Sequence, residues 1–353
     1  MQPPGGLICH QRQPENLESP RSIFESFITP RDLFYVRSHF DIPQIDIATW
    51  RLQVEGEIER PFFFNHEELA EAPQRNVTAT LECAGNSRAF LPKPLKGVEW
   101  GLGAVGTAQW TGVPLPWVLD RARLRNGAVS VILEGADAGF VEDDLNLPWP
   151  IPFAYGLDIE KAFNADVLLA WQINGQELDS RHGFPLRAVV PGWYGMASVK
   201  WLRRVIVSNE RFQGYFQTFE YSRWKELHGI PSLASLTQGE VKAEIAYPGA
   251  GESLAAGAVC AIHGAAWAGE SEIERVEISA DCGFTWNCAC LLDSPRPYCW
   301  VRWQHPWTPP RAGSYTLMAR AYARDGRIQP FRRDPRERSY SVHHVLPVPV
   351  EVL

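Results

Sequence analysis

Cys83 is the residue whose type and position best suit it to chemistry. It ends the alternating run Val77–Cys83, and the glycine-containing loop Ala84–Arg88 follows at once. A thiolate presented where a strand stops can attack electrophiles or ligate a metal, and the guanidinium of Arg88 would favour the ionised form. The segment by itself slightly favours the alternative, a buried cysteine that completes the apolar face of the strand.

Four cysteines lie close together near the carboxyl terminus, at Cys282, Cys288, Cys290 and Cys299. Thiolates favour tetrahedral zinc, but the spacing C-x5-C-x-C-x8-C lacks the paired knuckles of ordinary zinc sites. Cys288 and Cys290 are expected on the same face of one strand. The pattern therefore predicts small buried side chains in place of a zinc site, and it leaves the role of the cluster open.

The string Gly101–Gly106 matches G-x-G-x-x-G, the glycine pattern of dinucleotide-binding loops. A dinucleotide loop opens a full helix, whereas Gly112 and Pro114 interrupt this segment soon after the last glycine. We therefore expect a glycine-rich packing loop here.

Short strands must position these residues, because Gly and Pro, 28 of each, punctuate short apolar or β-branched runs throughout. The clearest helix is amphipathic and spans Pro116–Arg123. From about residue 236 the runs recur with the punctuation of a β-sandwich. The sequence predicts an N-terminal extension at 1–20, a mixed α+β domain at 21–235 and a sandwich at 236–353.

The strands are predicted from alternation and from flanking turn residues. A tight hairpin turn is expected at Asp281–Gly283. In the first domain the strands are Trp50–Val54, Val77–Cys83, Val129–Glu134, Val167–Ile173, Arg187–Val190 and Val199–Val207. In the second domain they are Val241–Ile245, Ala258–Ile262, Ile273–Ala280, Asn287–Leu292, Ser314–Tyr322 and Ser339–Val342.

The composition is that of a globular protein and excludes several classes of partner. The 353 residues are 45% apolar, which supplies core material for two domains. A net charge of −7 disfavours nucleic acid, and the densest apolar run, Val167–Trp171, is too short to cross a membrane. The cysteine spacing and the absence of an export signal in the first thirty residues predict a cytoplasmic protein, or a periplasmic one if a signal has been removed.

The segment Leu81–Arg88, with the letters LECAGNSR, resembles the molybdenum-ligating segment of the sulfite oxidase family. Other segments resemble this family in the same order: Tyr35–Phe40, Lys96–Trp100, Thr107–Trp110, His182–Gly192, Val199–Leu202, Glu277–Asp281 and Thr285–Trp286. The resemblance implies a mixed α/β molybdopterin-binding domain followed by an immunoglobulin-like dimerisation domain, and therefore a homodimer. It also favours the ligand role of Cys83 over the core role.

The resemblance further implies a molybdenum ion held by a pterin ene-dithiolate and by the thiolate of Cys83. The pterin and its phosphate would be held by Tyr35, Val36, Arg37, Ser38, His39, Asp137, His182, Arg187, Ser198, Val199 and Lys200. Arg187 and Lys200 would supply the cations that a buried phosphate needs, because charge-assisted hydrogen bonds offset its desolvation.

The resemblance places Arg37, Arg88, Trp100 and Tyr221 in a pocket for an anionic substrate, with Tyr215 as the local competitor of Tyr221. Animal and plant members of the family carry a further arginine near the carboxyl terminus, where this chain has His343 and His344. We expect His344 to line the pocket, which replaces a permanent cation with a titratable one. Anion binding should then weaken as His344 loses its proton.

The implied activity is oxidation of sulfite to sulfate by oxygen-atom transfer, with electrons passed to an external acceptor such as a cytochrome. The altered carboxyl-terminal segment leaves open a related molybdopterin enzyme that reduces a sulfoxide or acts on another sulfur oxyanion. A more distant alternative is a non-enzymatic immunoglobulin-like interaction protein. The expected partners are thus a small anionic sulfur compound, an electron acceptor and a second copy of the chain, without nucleic acid or membrane.

Overall fold

Strands dominate the computed structural model of the protein, which describes residues 6–93, 95–141 and 147–353. The α-helices are α1 (His66–Ala70), α2 (Leu115–Ala122) and α3 (Ile159–Ala162). Short 3-10 turns span Arg21–Glu25, Arg31–Leu33, Arg88–Phe90, Ser180–His182 and Gly195–Ala197, and a π-helical turn spans Phe216–Glu220. Within the described ranges, every helix is too short or too polar to cross a membrane.

Two five-stranded sheets form most of the first domain. One has the order β11-β10-β7-β6, with β12 also paired to β10, and the other has the order β5-β4-β13-β8-β9. A three-stranded sheet, β1-β2-β3, and the hairpin β14-β15 complete it. The strands are β1 (Ile8–Arg12), β2 (Glu15–Glu18), β3 (Val36–Arg37), β4 (Leu52–Gly56), β5 (Phe62–Phe64), β6 (Arg75–Glu82), β7 (Val105–Pro114), β8 (Ser130–Gly139), β9 (Ile151–Asp158), β10 (Leu168–Ile173), β11 (Gln176–Glu177), β12 (Arg187–Val189), β13 (Leu202–Ser208), β14 (Ser222–Leu227) and β15 (Ile230–Ser235).

The first of these sheets is buried on both faces, which explains the continuous apolar run of its strand β10. Leu169 and Trp171 face the main core, which the amphipathic helix α2 also joins through Val118 and Leu119. Leu168 and Ala170 face a second core that includes Cys83. Alternation in β10 therefore serves two apolar clusters, and strand β6 brings Cys83 to the edge of the second one.

The second domain is a sandwich of two sheets, ordered β16-β18-β22-β21 and β17-β24-β23-β19-β20. A separate core fills the space between them. Its strands are β16 (Lys242–Tyr247), β17 (Ser253–Leu254), β18 (Cys260–Trp267), β19 (Ile273–Ser279), β20 (Asn287–Cys288), β21 (Cys290–Leu291), β22 (Val301–Trp307), β23 (Gly313–Ala323) and β24 (Val348–Val352). The expected mixed domain followed by a β-sandwich is confirmed.

Two of the predicted strands are wrong. The run Asn287–Leu292 is divided between β20 and β21, which belong to different sheets. The run Ser339–Val342 is not a strand, because its backbone binds the first domain: the N–H of Ser341 donates to the carbonyl of Ala84 at 2.8 Å. A short strand does follow it, but only at β24.

The predicted tight hairpin at Asp281–Gly283 is also longer than expected. The last ladder pair between β19 and β20 is Ile278 with Asn287, so the loop spans the residues between them. The Asp281 carboxylate organises this loop by accepting hydrogen bonds from the backbone and hydroxyl of Thr285 and from the hydroxyl of Ser279. The loop is therefore closed by a side chain instead of by a two-residue turn.

The cysteine cluster is not buried as the sequence predicts. Cys282, Cys288 and Cys290 are exposed, and only Cys299 is buried, where burial raises the pKa of its thiol to about 12. Placement of Cys288 and Cys290 on separate short strands explains the difference, since neither faces the sandwich core. Among the described residues no group of three or more His, Cys, Asp or Glu side chains is arranged to hold a metal ion.

The segment predicted as an N-terminal extension is an integral part of the first domain. Residues 1–5 lie outside the described residues. Strands β1 and β2 form a hairpin, and β2 pairs with β3, so that Asn16 lies opposite Arg37 and Leu17 opposite Val36. Leu7, Leu17 and Val36 form a small apolar cluster of their own, which attaches the hairpin to the segment that precedes His39.

Candidate active site

A cavity lies where strands of both sheets of the first domain end. Cys83 follows β6, Arg187 begins β12, and Lys200 comes just before β13. Of the predicted site residues, the cavity wall contains Tyr35, Arg37, Ser38, His39, Cys83, Asp137, His182, Arg187, Ser198, Lys200 and Tyr221. Residues distant in the sequence therefore meet around a single cavity.

The wall also contains residues that the sequence analysis missed. They are Phe34, Leu81, Ala84, Phe153, Arg181, Gly195, Met196 and Trp201. Most are apolar and carry no pattern that separates them from core residues. Arg181 could have been noticed, because it is a charged residue directly before His182.

Cys83 is buried and its backbone is held on both sides. Its N–H donates to the carbonyl of Ala104 at 2.9 Å, and its carbonyl accepts from the N–H of Asn86 at 2.8 Å. The residue lies one position beyond the last ladder pair of β6 with β7, Glu82 with Val105. It is thus both a member of an apolar cluster and part of the cavity wall, so the two interpretations of the sequence describe the same position.

Three cations of the cavity wall, Arg37, Arg187 and Lys200, form no ion pair with a carboxylate among the described residues. Arg187 donates only to backbone carbonyls, those of His182, Ser198 and Ala188, and Lys200 donates to the hydroxyl of Ser38 and the carbonyl of Arg181. Among the residues that the structure describes, no ion pair involves either cation. Burial lowers the pKa of Arg187 to about 10. Burial and the neighbouring Arg187 lower the pKa of Lys200 to about 7, a shift that a bound anion would reverse.

Asp137 supplies the complementary feature, a buried acceptor without a donor. Its Oδ1 has no hydrogen-bond partner within the described part of the chain, and burial raises the pKa of its carboxyl to about 7, although Lys200 opposes this shift. The ladder between β8 and β9 is irregular between Glu134 and Ala138, which directs Asp137 away from the regular pleat. Such an oxygen suits an N–H donor of a heterocyclic ligand.

His182 is oriented by Asp179, which caps the 3-10 turn Ser180–His182 at its N-terminus. The Asp179 carboxylate accepts from the backbone N–H of His182 at 2.9 Å and lies 2.8 Å from its Nδ1. Burial raises the pKa of Asp179, but these contacts with His182 lower it further, to about 2. The ring is therefore held in one orientation beside Phe34, which it meets edge to face at 5.9 Å.

Tyr221 and His39 form a hydrogen-bonded pair in the cavity wall, with 2.6 Å between the phenol oxygen and Nε2. Burial, with Arg37 and Lys200 nearby, holds the pKa of His39 well below its ordinary value, so its ring is neutral. Burial raises the pKa of Tyr221 above its ordinary value, although Arg37 opposes this, and the phenol keeps its proton. The competing residue Tyr215 lines a cleft outside the cavity instead.

Arg88, predicted to face the substrate, does not line the cavity. Its guanidinium donates to the carbonyls of Ser339 and Val98 at 2.8 and 2.7 Å and stacks over the Tyr340 ring at 4.7 Å. These partners hold the charge behind Tyr221, whose ring centroid is 5.0 Å from that of Tyr340. Arg88 is therefore directed by the carboxyl-terminal segment and by Val98, and its influence on the thiol of Cys83 stays a prediction.

Trp100 and His344 also lie outside the cavity wall. Trp100 is fully buried, and His10 packs edge to face against it at 5.1 Å. His344 lies among Arg333, His343 and Lys242; burial and these cations lower its pKa to about 4. Its predicted position in the pocket is therefore wrong in this structure, because the segment that carries it packs between the domains.

Two predicted cofactor residues, Val36 and Val199, point into apolar clusters instead of the cavity. Val36 packs with Leu17 in the small N-terminal cluster, and Val199 belongs to the main core. Both are flanked by cavity residues, so alternation of the side chains accounts for their position.

A buried ionic network joins the loop of Cys83 to the sandwich domain, and the sequence analysis did not identify it. The ammonium of Lys242 lies 3.1 Å from Oε1 of Glu82, 2.7 Å from Oε1 of Glu244 and 2.9 Å from the hydroxyl of Ser87. The indole N–H of Trp267 donates to Oε2 of Glu82 at 2.9 Å. The residues before and after Cys83 are thus held by side chains of the second domain.

An open cleft adjoins the cavity, and Arg37 and His39 line both. Its walls come from the N-terminal hairpin, the segment Lys96–Glu99 and the aromatic residues that precede Tyr221. A solute that enters through the cleft would therefore meet Arg37 and His39 first.

Comparisons with known proteins were made against family models, curated sequences and solved structures. The oxidoreductase molybdopterin binding domain matches residues 39–216, and the Mo-co oxidoreductase dimerisation domain matches residues 234–343. Sulfite oxidase from Gallus gallus is 34% identical over 346 residues, which are 92% of this chain and 73% of the chicken protein. Mitochondrial sulfite oxidase from Homo sapiens is 36% identical over 316 residues, 84% of this chain and 56% of the human one.

Similarity also extends to proteins with other substrates in their names. Nitrate reductase (NADH) 1 from Arabidopsis thaliana is 34% identical over 333 residues, 83% of this chain but 35% of the plant protein. The solved structure of the sulfane dehydrogenase SoxCD from Paracoccus pantotrophus superposes with a TM-score of 0.81 at 25% identity and covers 96% of this chain and 85% of that one. The chain spans about half the length of the human relative and a third of the plant one.

Proposed function

The chain belongs to the sulfite oxidase family of molybdopterin-binding oxidoreductases, and on that premise we propose that it oxidises sulfite to sulfate. Sulfite and water would give sulfate, two protons and two electrons, and the electrons would pass to an external acceptor such as a cytochrome. One observation carries the proposal: the buried Cys83 lines the same cavity as Arg187 and Lys200, which form no ion pair with a carboxylate among the described residues.

The residues of the cavity fit the molybdenum cofactor of the family. Arg187 and Lys200 would bind the pterin phosphate. Among the described residues their hydrogen-bond acceptors are carbonyls and one hydroxyl, and each cation lies over a tryptophan ring, so an anion would supply the missing opposite charge. The free oxygen of Asp137 would accept a pterin N–H. Cys83 would provide the thiolate ligand of the metal. When bound, the cofactor supplies two-electron redox chemistry and the transferable oxygen atom.

Arg37 is the residue best placed to bind the substrate anion, because it lies where the cavity meets the cleft. A guanidinium there would offset the charge of sulfite and then of sulfate through charge-assisted hydrogen bonds. Tyr221, protonated and hydrogen-bonded to the neutral ring of His39, would donate to or accept from a substrate oxygen without changing its own charge. The pair would thus orient the substrate and hold a proton at the phenol.

A related sulfur substrate is the second candidate, supported by the fold shared with a sulfane dehydrogenase and by the position of His344. In the described residues the carboxyl-terminal segment contributes no cation to the cavity wall, so the pocket is less positive than the resemblance implies. A pocket of that kind would also accept a sulfur compound with less charge than sulfite. We further propose that the chain forms a homodimer through its second domain, which matches the family's dimerisation domain.

The test uses the protein purified from a molybdenum-replete host. We expect one molybdenum per chain, a fluorescent pterin after oxidation, and sulfite-dependent reduction of cytochrome c or ferricyanide. Parallel assays with thiosulfate, persulfide, sulfoxide and nitrate would rank the substrates. Metal-free protein from such a host would contradict the cofactor proposal, and a kcat/KM for another substrate above that for sulfite would contradict the substrate proposal.

A further inference from the structure

We propose that the N-terminal hairpin β1–β2 is part of the active site, where it positions two cavity arginines and thereby sets the affinity for the anionic substrate. The inference rests on the proposed function for its choice of substrate. Its physical content, the placement of Arg37 and Arg181 by Asn16 and Glu15, rests on the contacts of the hairpin alone. The hairpin precedes residue 39, where the match to the molybdopterin-binding family model begins.

Asn16 holds Arg37 from the strand that lies beside it. It is fully buried and faces Arg37 across the β2–β3 ladder. Its Oδ1 accepts from Nη1 of Arg37 at 3.2 Å and from the backbone N–H of Ser38 at 3.1 Å. Its amide nitrogen donates in turn to Oε1 of Gln11 at 3.0 Å and to the carbonyl of Pro14 at 3.1 Å. The amide is therefore fixed by the hairpin and acts as a fixed acceptor for the guanidinium.

Glu15 holds the second arginine. Its carboxylate binds Arg181 through two hydrogen bonds, 2.7 Å from Nε and 3.0 Å from Nη2. A paired contact of this kind defines both the position and the plane of a guanidinium. It also neutralises the charge that Arg181 would otherwise present to the cavity it lines.

Glu18, the last residue of the hairpin, binds the segment that follows Trp100. Its carboxylate accepts from the backbone N–H groups of Gly101 and Gly103 at 2.8 and 2.9 Å and lies 2.6 Å from Nε2 of His10. Burial raises the pKa of Glu18, but His10 and the two N–H groups lower it further, so the carboxylate is ionised. The glycine string thus binds an anion, but the anion is a side chain of the same protein.

The hairpin also forms one wall of the cleft that leads to the cavity. His10, Gln11, Gln13 and Pro14 line this cleft, opposite Lys96–Glu99. Arg37 lies at its inner end. A substrate anion that enters by the cleft passes the hairpin before it reaches the guanidinium that the hairpin orients.

Placement of a charged donor matters because an arginine that is already oriented pays little entropy when the anion binds. Asn16 is accordingly a positioning residue for Arg37, and Glu15 is a positioning residue for Arg181 that also masks its charge. The two residues should affect anion binding in opposite directions. A hairpin that only stabilises the fold would not give this difference in sign.

The experiment compares Asn16→Ala, Glu15→Gln and the control Ile8→Ala as full-length holoenzymes. Ile8 lies on strand β1 of the same hairpin, is 49% exposed, and lines neither the cavity nor the cleft. The probes are sulfite turnover, which separates KM from kcat, and isothermal titration with sulfate, which reports anion binding without turnover. Thermal unfolding and molybdenum content show whether each variant is folded and loaded.

We expect Asn16→Ala to raise both the KM for sulfite and the dissociation constant of sulfate about tenfold, or about 1.4 kcal/mol, with kcat changed less than about twofold. Glu15→Gln should tighten sulfate binding about threefold, because it unmasks a cation in the cavity wall. Ile8→Ala should resemble the wild type in all three measurements.

Three results would overturn the inference: wild-type sulfate affinity in a folded Asn16→Ala, weaker sulfate binding in Glu15→Gln, or equal effects of Ile8→Ala and Asn16→Ala. Glu15 and Arg181 are partly exposed, so Glu15→Gln keeps the test decisive should Asn16→Ala unfold. Opposite shifts of sulfate affinity in an enzyme that does not oxidise sulfite would refute the proposed function and support the inference. Sulfite oxidation that is unaffected by any of the variants would support the proposed function and refute the inference.

Discussion

Lys242→Met is the substitution that best tests how the two domains hold the loop of Cys83. The ammonium of Lys242 is almost fully buried and lies within 3.1 Å of Glu82 and Glu244 and 2.9 Å from the hydroxyl of Ser87. Methionine keeps the volume and removes the charge. Two buried carboxylates would then share the site without a cation, which favours protonation of one of them or entry of water.

The expected loss of unfolding free energy in Lys242→Met depends on the contacts that Glu82 and Glu244 keep. Breaking a buried ion pair by removal of one partner costs about 3–5 kcal/mol. Glu82 would keep its contacts with Trp267 and Asn86, whereas Oε2 of Glu244 already lacks a partner among the described residues. We therefore expect a loss near the lower limit, about 3 kcal/mol in the free energy of unfolding. Molybdenum content should fall as well, because Glu82 and Asn86 flank Cys83 closely.

Lys93→Met is the matched control. Lys93 pairs with Glu99 at 2.5 Å, but both side chains are largely exposed, 62% and 41%. An exposed pair contributes about 0–1 kcal/mol. The assay is urea unfolding followed by circular dichroism and by tryptophan fluorescence, since two domains need two probes. Equal losses in the two variants, or a loss below about 1 kcal/mol in Lys242→Met, would refute the account of the network.

The remaining predictions concern the cavity. Cys83→Ser should abolish turnover while it preserves the fold and the pterin content, and an unchanged molybdenum X-ray absorption spectrum would contradict the ligand role of Cys83. Lys200→Met should raise the thermal stability of the cofactor-free protein, because it removes a cation that desolvation disfavours and that forms no ion pair among the described residues. It should lower pterin content at least about tenfold, as expected for loss of a charge-assisted hydrogen bond; unchanged pterin fluorescence would argue against a phosphate contact. The pKa of Asp179 is lowered from 3.8 to about 2 in the folded protein, so the stability that Asp179 contributes is complete above pH 4 and is lost as the pH falls towards 2. The difference in unfolding free energy between wild type and Asp179→Asn should therefore shrink over that range. A constant difference would speak against the pairing with His182. His344→Asn should leave the KM for sulfite and its pH dependence between pH 5 and 8 unchanged, because His344 is outside the cavity and titrates near pH 4; a shifted profile would restore its predicted role.

The position of the cavity could be predicted from local pattern. An alternating run that stops at a cysteine and turns into a glycine loop places that cysteine at the end of a strand, and β6 ends one residue before Cys83. The amphipathic spacing around Val118 likewise predicts the helix α2, which buries the expected face. These features depend on neighbours within a few residues along the chain, and such neighbours are visible in the sequence.

The orientation of long side chains could not be predicted in the same way. Arg88 follows Cys83 in the motif, but its guanidinium is bound by Ser339 and Val98. His344 was expected in the pocket because of its place near the carboxyl terminus, and the segment that carries it packs between the domains instead. In each case the partner that decides the direction lies far away in the sequence.

Strand β16 shows most clearly which features depend on the local sequence and which depend on the tertiary structure. The sequence by itself determines that Lys242 and Glu244 alternate with Val241, Ala243 and Ile245, a pattern typical of a strand with one face in water. Only the tertiary structure decides that this polar face is buried, because the first domain covers it with Glu82 and Ser87. Alternation specifies which side chains share a face. It does not specify what lies against that face, since this depends on complementary charges that come from the other domain.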